Sequence, residues 1–129
     1  MNPSAAAAPV YLKLNPVVKA AWLEALRSGD YKQGRERLHR INEDGSSGYC
    51  CMGVLCELAI QNGLPMDRVE TEDDDIDPVY SYDGYDSYPP NSVWQWANLD
   101  RPAQFTLARL NDDEVFNFSE IADWIEANL

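Results

Sequence analysis

No stretch of this 129-residue chain stays apolar for the ~20 residues that cross a bilayer, which excludes a membrane-spanning helix. The N-terminus, Met1-Asn2-Pro3-Ser4 followed by four alanines, lacks the basic and long apolar regions of a signal peptide. Only three cysteines occur, Cys50, Cys51 and Cys56. An odd, crowded set excludes a disulfide framework and places the chain in a reducing, cytoplasmic setting. They form no Cys-x-x-Cys knuckle, so no zinc site is expected with the single histidine, His39. Bases are scarce, ten against 22 acids for a net charge of -12. That field opposes direct binding to a nucleic-acid backbone or an anionic membrane. Walker and dinucleotide fingerprints are missing, and the acidic run from Glu70 to Asp77 lacks the glycine and terminal glutamate of an EF-hand.

What is present is enough for one domain with its own core: 45% hydrophobic and 11% aromatic residues. No internal repeat or second domain is visible. Charge is segregated. Residues 1–65 carry six acids and seven bases, whereas residues 66–129 carry sixteen acids and only Arg68, Arg101 and Arg109. Five of the early bases, Arg27, Lys32, Arg35, Arg37 and Arg40, lie within fourteen positions. Screening limits distant charges to about 8 Å, so a local anion site is compatible with the acidic total.

Asn15-Pro16 reads as a helix start, the asparagine capping and the proline in the first turn, with Gly29 closing the helix. Val18, Ala21, Trp22, Ala25 and Leu26 share its buried arc. Tyr31 to Asn42 reads as an extended segment with Leu38 and Ile41 inward, leading to a turn at Asp44–Gly48. A second helix spans Cys50 to Asn62, burying Cys51, Val54, Leu55, Leu58 and Ala59, while Gly53 permits close approach of another element. Met66 to Asp77 is expected as an acidic surface loop. Residues 79–82 and 85–88 suggest a hairpin around the type I′ dipeptide Asp83-Gly84, with Tyr80 and Tyr82 on one face. A short helix follows Asn91 or Ser92, Leu107 and Leu110 mark another short apolar element, and Ser119 is expected to cap the last helix. The expected architecture is α+β: a loose tail over residues 1–14, then a single compact domain over 15–129 with about four helices and a small antiparallel sheet.

The strings Trp22–Gly29, Tyr31–Gly34 and Gly48-Tyr49-Cys50-Cys51-Met52-Gly53-Val54-Leu55-Cys56 are followed by Trp96-Ala97, Leu110-Asn111-Asp112 and Ile121-Ala122. This succession resembles a family of small uncharacterised proteins of tailed bacteriophages and prophages. The resemblance implies a phage accessory context, in which such proteins interfere with host immunity by inhibiting an effector or sequestering a nucleotide messenger.

The first functional expectation is capture of a small phosphorylated or nucleotide-like ligand. Lys32, Arg35, Arg37 and Arg40 would hold anionic groups, because guanidinium forks match phosphate oxygens, and Tyr31 and Gln33 would orient the rest. Alternation along a strand would place Gln33, Arg35, Arg37 and His39 on one face. Tyr80, Tyr82, Tyr85 and Tyr88 offer further stacking surface. The second expectation is an acidic DNA mimic or inhibitor that occupies a host immune or nucleic-acid-binding protein. A third is a cysteine-dependent hydrolase, since Cys50 and Cys51 begin a helix and Cys51–Leu55 resembles the string opening the helix of papain-type cell-wall peptidases. In those enzymes the base histidine follows the cysteine, whereas His39 precedes it. No cofactor is implied, and a homo-oligomer in which a second copy completes the site is compatible with the sequence.

Overall fold

Asn15 caps the first helix through Oδ1, which accepts from the Val17 and Val18 amides, and Pro16 occupies the first turn where no amide hydrogen is needed. In the computed structural model, which describes residues 10–73 and 76–129, this helix, α1, runs Pro16–Ser28 and ends at Gly29 with φ 82°. It is followed by β1 (His39–Ile41), β2 (Ser47–Tyr49), α2 (Cys51–Gln61), β3 (Arg68–Asp73), β4 (Ile76–Tyr82), α3 (Asn91–Ala97), α4 (Arg101–Asp112) and α5 (Phe118–Asn128). The described residues fold as a single α+β domain with five helices and one four-stranded antiparallel sheet of order β2-β1-β4-β3.

The α2 helix is apolar around almost its whole circumference, and its contacts explain why. It meets α1, α3, α4 and β2, while α5 closes the far side against α1 and α4. Every residue expected on its buried face is buried, and Met52, Gly53 and Cys56 join them. Trp22 is fully buried in α1 and donates its indole N–H to the Cys51 carbonyl at 2.9 Å, tying α1 to the first turn of α2. At Gly53 the helix backbone presses on the residue before β1 so closely that a Cβ would lie 1.7 Å from the Leu38 carbonyl oxygen.

The expected strand from Tyr31 to Asn42 is mostly not a strand. Gln33 makes one bridge to Tyr49, and regular pairing begins only at His39. The cause is at Glu36, whose φ is 68°: with Arg37 N bonded to the Arg35 carbonyl at 2.8 Å, residues 35–37 close a γ-turn that reverses the chain. The Glu36 amide bonds Asp112 at the end of α4, and the Gln33 amide group reaches Asn111 and the Phe116 carbonyl. The segment is therefore fastened to the α4 terminus. Leu38 is buried as expected, and Ile41 only half-buried.

Met66–Asp77 also departs from the expected loop, because Arg68–Asp73 forms β3. Val69 and Thr71 alternate with Glu70 and Glu72, and β3 pairs Val69 with Ser81 and Thr71 with Val79. Asp74 and Asp75 lie outside the described residues, as do the side chains of Asp73 and Asp77 and the start of the expected tail, residues 1–9. Residues 11–14 of that tail are docked: Tyr11 meets Trp124 edge-on and bonds Thr106, and Leu14 is buried. The Asp83-Gly84 turn forms with positive φ at both residues, 51° and 86°, and Tyr82 and Tyr85 exchange both backbone bonds. No second strand follows, because the flank of β4 beyond that bridge belongs to β1, and Asp86 instead accepts from the Leu38 amide. The short element around Leu107 is a full helix begun by Asp100, whose carboxylate accepts from the Ala103 amide. Asn117, not Ser119, caps α5, in a reciprocal capping box with Glu120.

Candidate functional site

Several of the residues expected to clamp phosphate are engaged within this local structure. Arg40 donates from Nε to the Arg35 carbonyl and pairs with Glu36 at 3.4 Å, so it braces the γ-turn. Arg37 donates to the Glu36 carbonyl through Nη1 and has its Nε buried without a partner among the described residues. Arg35 is half-buried on the other arm of the turn, and Lys32 is exposed. Gln33 is spent on Asn111 and Phe116. Tyr31 stands edge-on to Tyr49 at 5.3 Å and accepts from Gln61. The common face of Gln33, Arg35, Arg37 and His39 does not exist, since that geometry required an extended backbone.

His39 belongs to a different constellation. Its ring is 3% exposed and lies between Tyr49 and Tyr80, with centroids 4.2 and 4.5 Å away. This follows from register: His39 is opposite Tyr49 on β2, and Arg40 opposite Val79 brings Tyr80 beside the imidazole. Nε2 lies 2.7 Å from Ser47 Oγ and Nδ1 3.2 Å from the Tyr82 hydroxyl. That hydroxyl donates to Glu57 Oε2 at 2.7 Å, and Arg68 donates to Oε1 at 2.7 Å while lying over the Tyr80 ring. Burial lowers the imidazole pKa to about 4; attraction from Glu57 opposes the drop and Arg68 adds to it. Burial also pushes the Tyr82 and Tyr49 hydroxyls upward. Alternation correctly placed Tyr80 and Tyr82 on one face. It did not reveal that Ser47, Tyr49 and Glu57 would meet them, because those contacts depend on strand order.

All three cysteines are buried. Burial pushes the Cys50 thiol up to about 12 and the Cys51 and Cys56 thiols well above their ordinary value. Cys51 donates weakly to the Leu107 carbonyl at 3.9 Å. A buried, protonated thiol is a small apolar packing group, so the cysteine-hydrolase reading lacks its nucleophile. Replacing Cys51 with Ala is expected to cost about 1–2 kcal/mol in urea unfolding. Native protein at neutral pH should resist iodoacetamide; stoichiometric alkylation of Cys51 would contradict its role.

Two surface clefts of more than 300 Å³ bear on ligand binding. One, of about 310 Å³ between α1 and α2, is bordered by Glu24, Asp30, Tyr31 and Gln61, and its only charges are acidic. The other, of about 330 Å³, lies between the Gly84–Pro89 segment and the starts of α3 and α4. Tyr85, Tyr88 and Trp94 supply aromatic surface, and Arg101 and Asp86 supply one charge of each sign. Tyr85 and Tyr88 are 48% and 37% exposed, and Tyr88 meets the exposed Phe105 edge-on at 5.6 Å, with Arg101 over the Phe105 ring. Trp94 is oriented by its indole N–H to Asn91, and the buried Gln104 amide by a bond to the Leu99 carbonyl. A concave, aromatic site of this size with a few fixed polar groups has the form of a small-ligand cleft.

Residues 14–129 match the family described as a domain of unknown function, DUF8296. The chain belongs to that family. No curated protein and no solved structure matches it. Among the described residues of this DUF8296 member, no group of three His, Cys, Asp or Glu side chains converges as a metal site would require, and no helix is long and apolar enough to cross a membrane. Trp94 and Arg101 were not singled out from the sequence as site residues. Their signal is the turn at Pro89-Pro90 and the Asp100-Arg101-Pro102 helix start, which bring both to the tyrosine-rich segment.

Proposed function

We propose that this protein captures a small phosphorylated or nucleotide-like ligand, and that the ligand sits in the Tyr85–Tyr88–Trp94–Arg101 cleft. The observation that carries this reading is an arginine, Arg101, in the lining of an aromatic cleft of about 330 Å³. A nucleobase-sized ring fits against Tyr85, Tyr88 or Trp94, Arg101 pairs with a phosphate, and Asp86 accepts from a sugar hydroxyl or ring amine. A single cation suits a single phosphate better than a polyphosphate. The likeness of the Gly48–Cys56 string to tailed-phage proteins supports a role in the cytoplasm of an infected cell, where sequestering a nucleotide messenger blunts an immune response.

Titration with nucleoside 5′-monophosphates, followed through indole fluorescence, tests the cleft directly. Arg101→Ala should weaken binding roughly ten-fold or more, in keeping with a charge-assisted contact, and inorganic phosphate should compete. Equal affinity in wild type and variant would contradict the assignment.

A second reading, inhibition of a basic protein by acidic mimicry, gains from one observation: Glu70 and Glu72 are exposed on a paired strand, β3, instead of bunched in a loop. Reversing both to Lys should abolish activity in that case and leave nucleotide capture intact.

A further inference from the structure

We propose that Ser47 is a reactive serine, its Oγ set by His39 for acyl transfer from small activated esters. Proton positions along the chain follow from counting donors. Arg68 and Tyr82 both donate to the Glu57 carboxyl group, at 2.7 Å each. Tyr82 has one hydroxyl hydrogen and directs it to Glu57. Its oxygen therefore accepts at the 3.2 Å contact with His39, which puts the ring proton on Nδ1. Nε2 then carries the lone pair, and at 2.7 Å it accepts from Ser47 Oγ. The functional order is that of a serine–histidine–acid relay, with Tyr82 interposed as a positioning residue and Glu57 behind it.

Two further features fit this role. The imidazole lies between Tyr49 and Tyr80, which fixes its orientation, and burial keeps it neutral near neutral pH, so that one ring nitrogen is a hydrogen-bond acceptor. Ser47 begins β2, the outermost strand, and is only half-buried. Tyr49 N and O bond the Lys32–Gly34 segment on the outer side of β2, so alternation turns the Ser47 N–H to that same side, where a developing oxyanion would form.

In the reaction, Ser47 Oγ bonds to the ester carbonyl carbon as its proton passes to His39 Nε2. The carbon–oxygen bond to the alcohol breaks, and the departing oxygen takes the proton from Nε2. Water then attacks the acyl-serine, giving its proton to Nε2, which returns it to Oγ as the acid is released.

A fluorophosphonate probe tests this: the oxygen–phosphorus bond forms, fluoride leaves, and the Ser47 proton is lost. Intact-mass analysis and peptide mapping should find one adduct, on Ser47. It should vanish in Ser47→Ala and form at least ten-fold more slowly in Glu57→Gln and Tyr82→Phe, with a labelling rate independent of pH from 6 to 8. Because Tyr82→Phe disturbs a buried group, ¹⁵N spectra of the wild-type protein provide a second arm. The chain has one histidine, whose Nδ1 should be protonated and Nε2 bare. Failure to label Ser47, equal rates in Glu57→Gln, or the opposite tautomer would each overturn the proposal.

Discussion

Replacing Gly53 with Ala should destabilise the protein by about 3 kcal/mol or more, a large share of the ~5–15 kcal/mol that holds a domain folded. An added Cβ would meet the Leu38 carbonyl oxygen at 1.7 Å and its carbon at 2.6 Å. Neither atom is the free end of a flexible side chain. Leu38 is fully buried, its amide bonds the Asp86 carbonyl at 2.7 Å, and its carbonyl accepts from Cys50 at 3.3 Å. Ordinary contact requires roughly 3.5 Å between such atoms, so α2 must retreat by more than an ångström from Leu38. That helix is packed around most of its circumference, and moving it opens gaps against α1 and α4. Gly45→Ala is the control. There φ is 85° with nothing near the added methyl, so the cost should be only about 1 kcal/mol of backbone strain. Urea unfolding of both variants separates the effects; a Gly53→Ala protein within 1 kcal/mol of wild type would contradict the close packing.

Acid should weaken the fold well before carboxylates titrate. His39 has an ordinary pKa of 6.5 when unfolded and about 4 in the native protein. Above pH 6.5 the imidazole is neutral in both states and its contribution is fully present. As pH falls through the interval from 6.5 to 4, the unfolded chain takes up a proton that the folded chain refuses, so stability drops. The loss should be about 2 kcal/mol between pH 6.5 and 5, and about 3 kcal/mol by pH 4. Glu57 attracts the proton, Arg68 repels it, and Tyr49, Tyr80 and Tyr82 enclose the ring without charge. Urea midpoints at pH 7, 6 and 5, with the C2–H shift of the single histidine, check both halves of this argument. A flat stability profile, or a native imidazole titrating near 6.5, would contradict it.

Local chemistry was readable in the sequence wherever local chemistry decides. Asn15, Pro16, Gly29, Gly53 and Asp83-Gly84 each do what their side chains, or lack of them, impose. The apolar arc of α2 is buried as its spacing requires, and so are Val18, Trp22 and Leu26 of α1, while Ala21 and Ala25 are half-buried beside a surface cleft. Reading failed where a partner distant in sequence decides. Val69 and Thr71 were hidden among acids and form a strand because β4 is there to pair with them. Gln33 and Glu36 looked like members of a charged strand, yet Asn111 and Asp112 at the end of α4 draw that segment into a γ-turn. The same limit applies to the sites. Basic density suggested residues 31–40, whereas the aromatic cleft joins Tyr85 and Tyr88 to Trp94 and Arg101 across a helix start that was read as a short apolar element.

Native mass spectrometry of the protein purified from infected, immune-active cells tests the ligand-capture account most directly. The expected result is a wild-type protein carrying one small molecule whose fragmentation yields a phosphate-containing ion. The Arg101→Ala protein, prepared identically, should be folded and empty. A wild-type protein that carries no small molecule, or a phosphorylated ligand retained equally by Arg101→Ala, would contradict capture in this cleft.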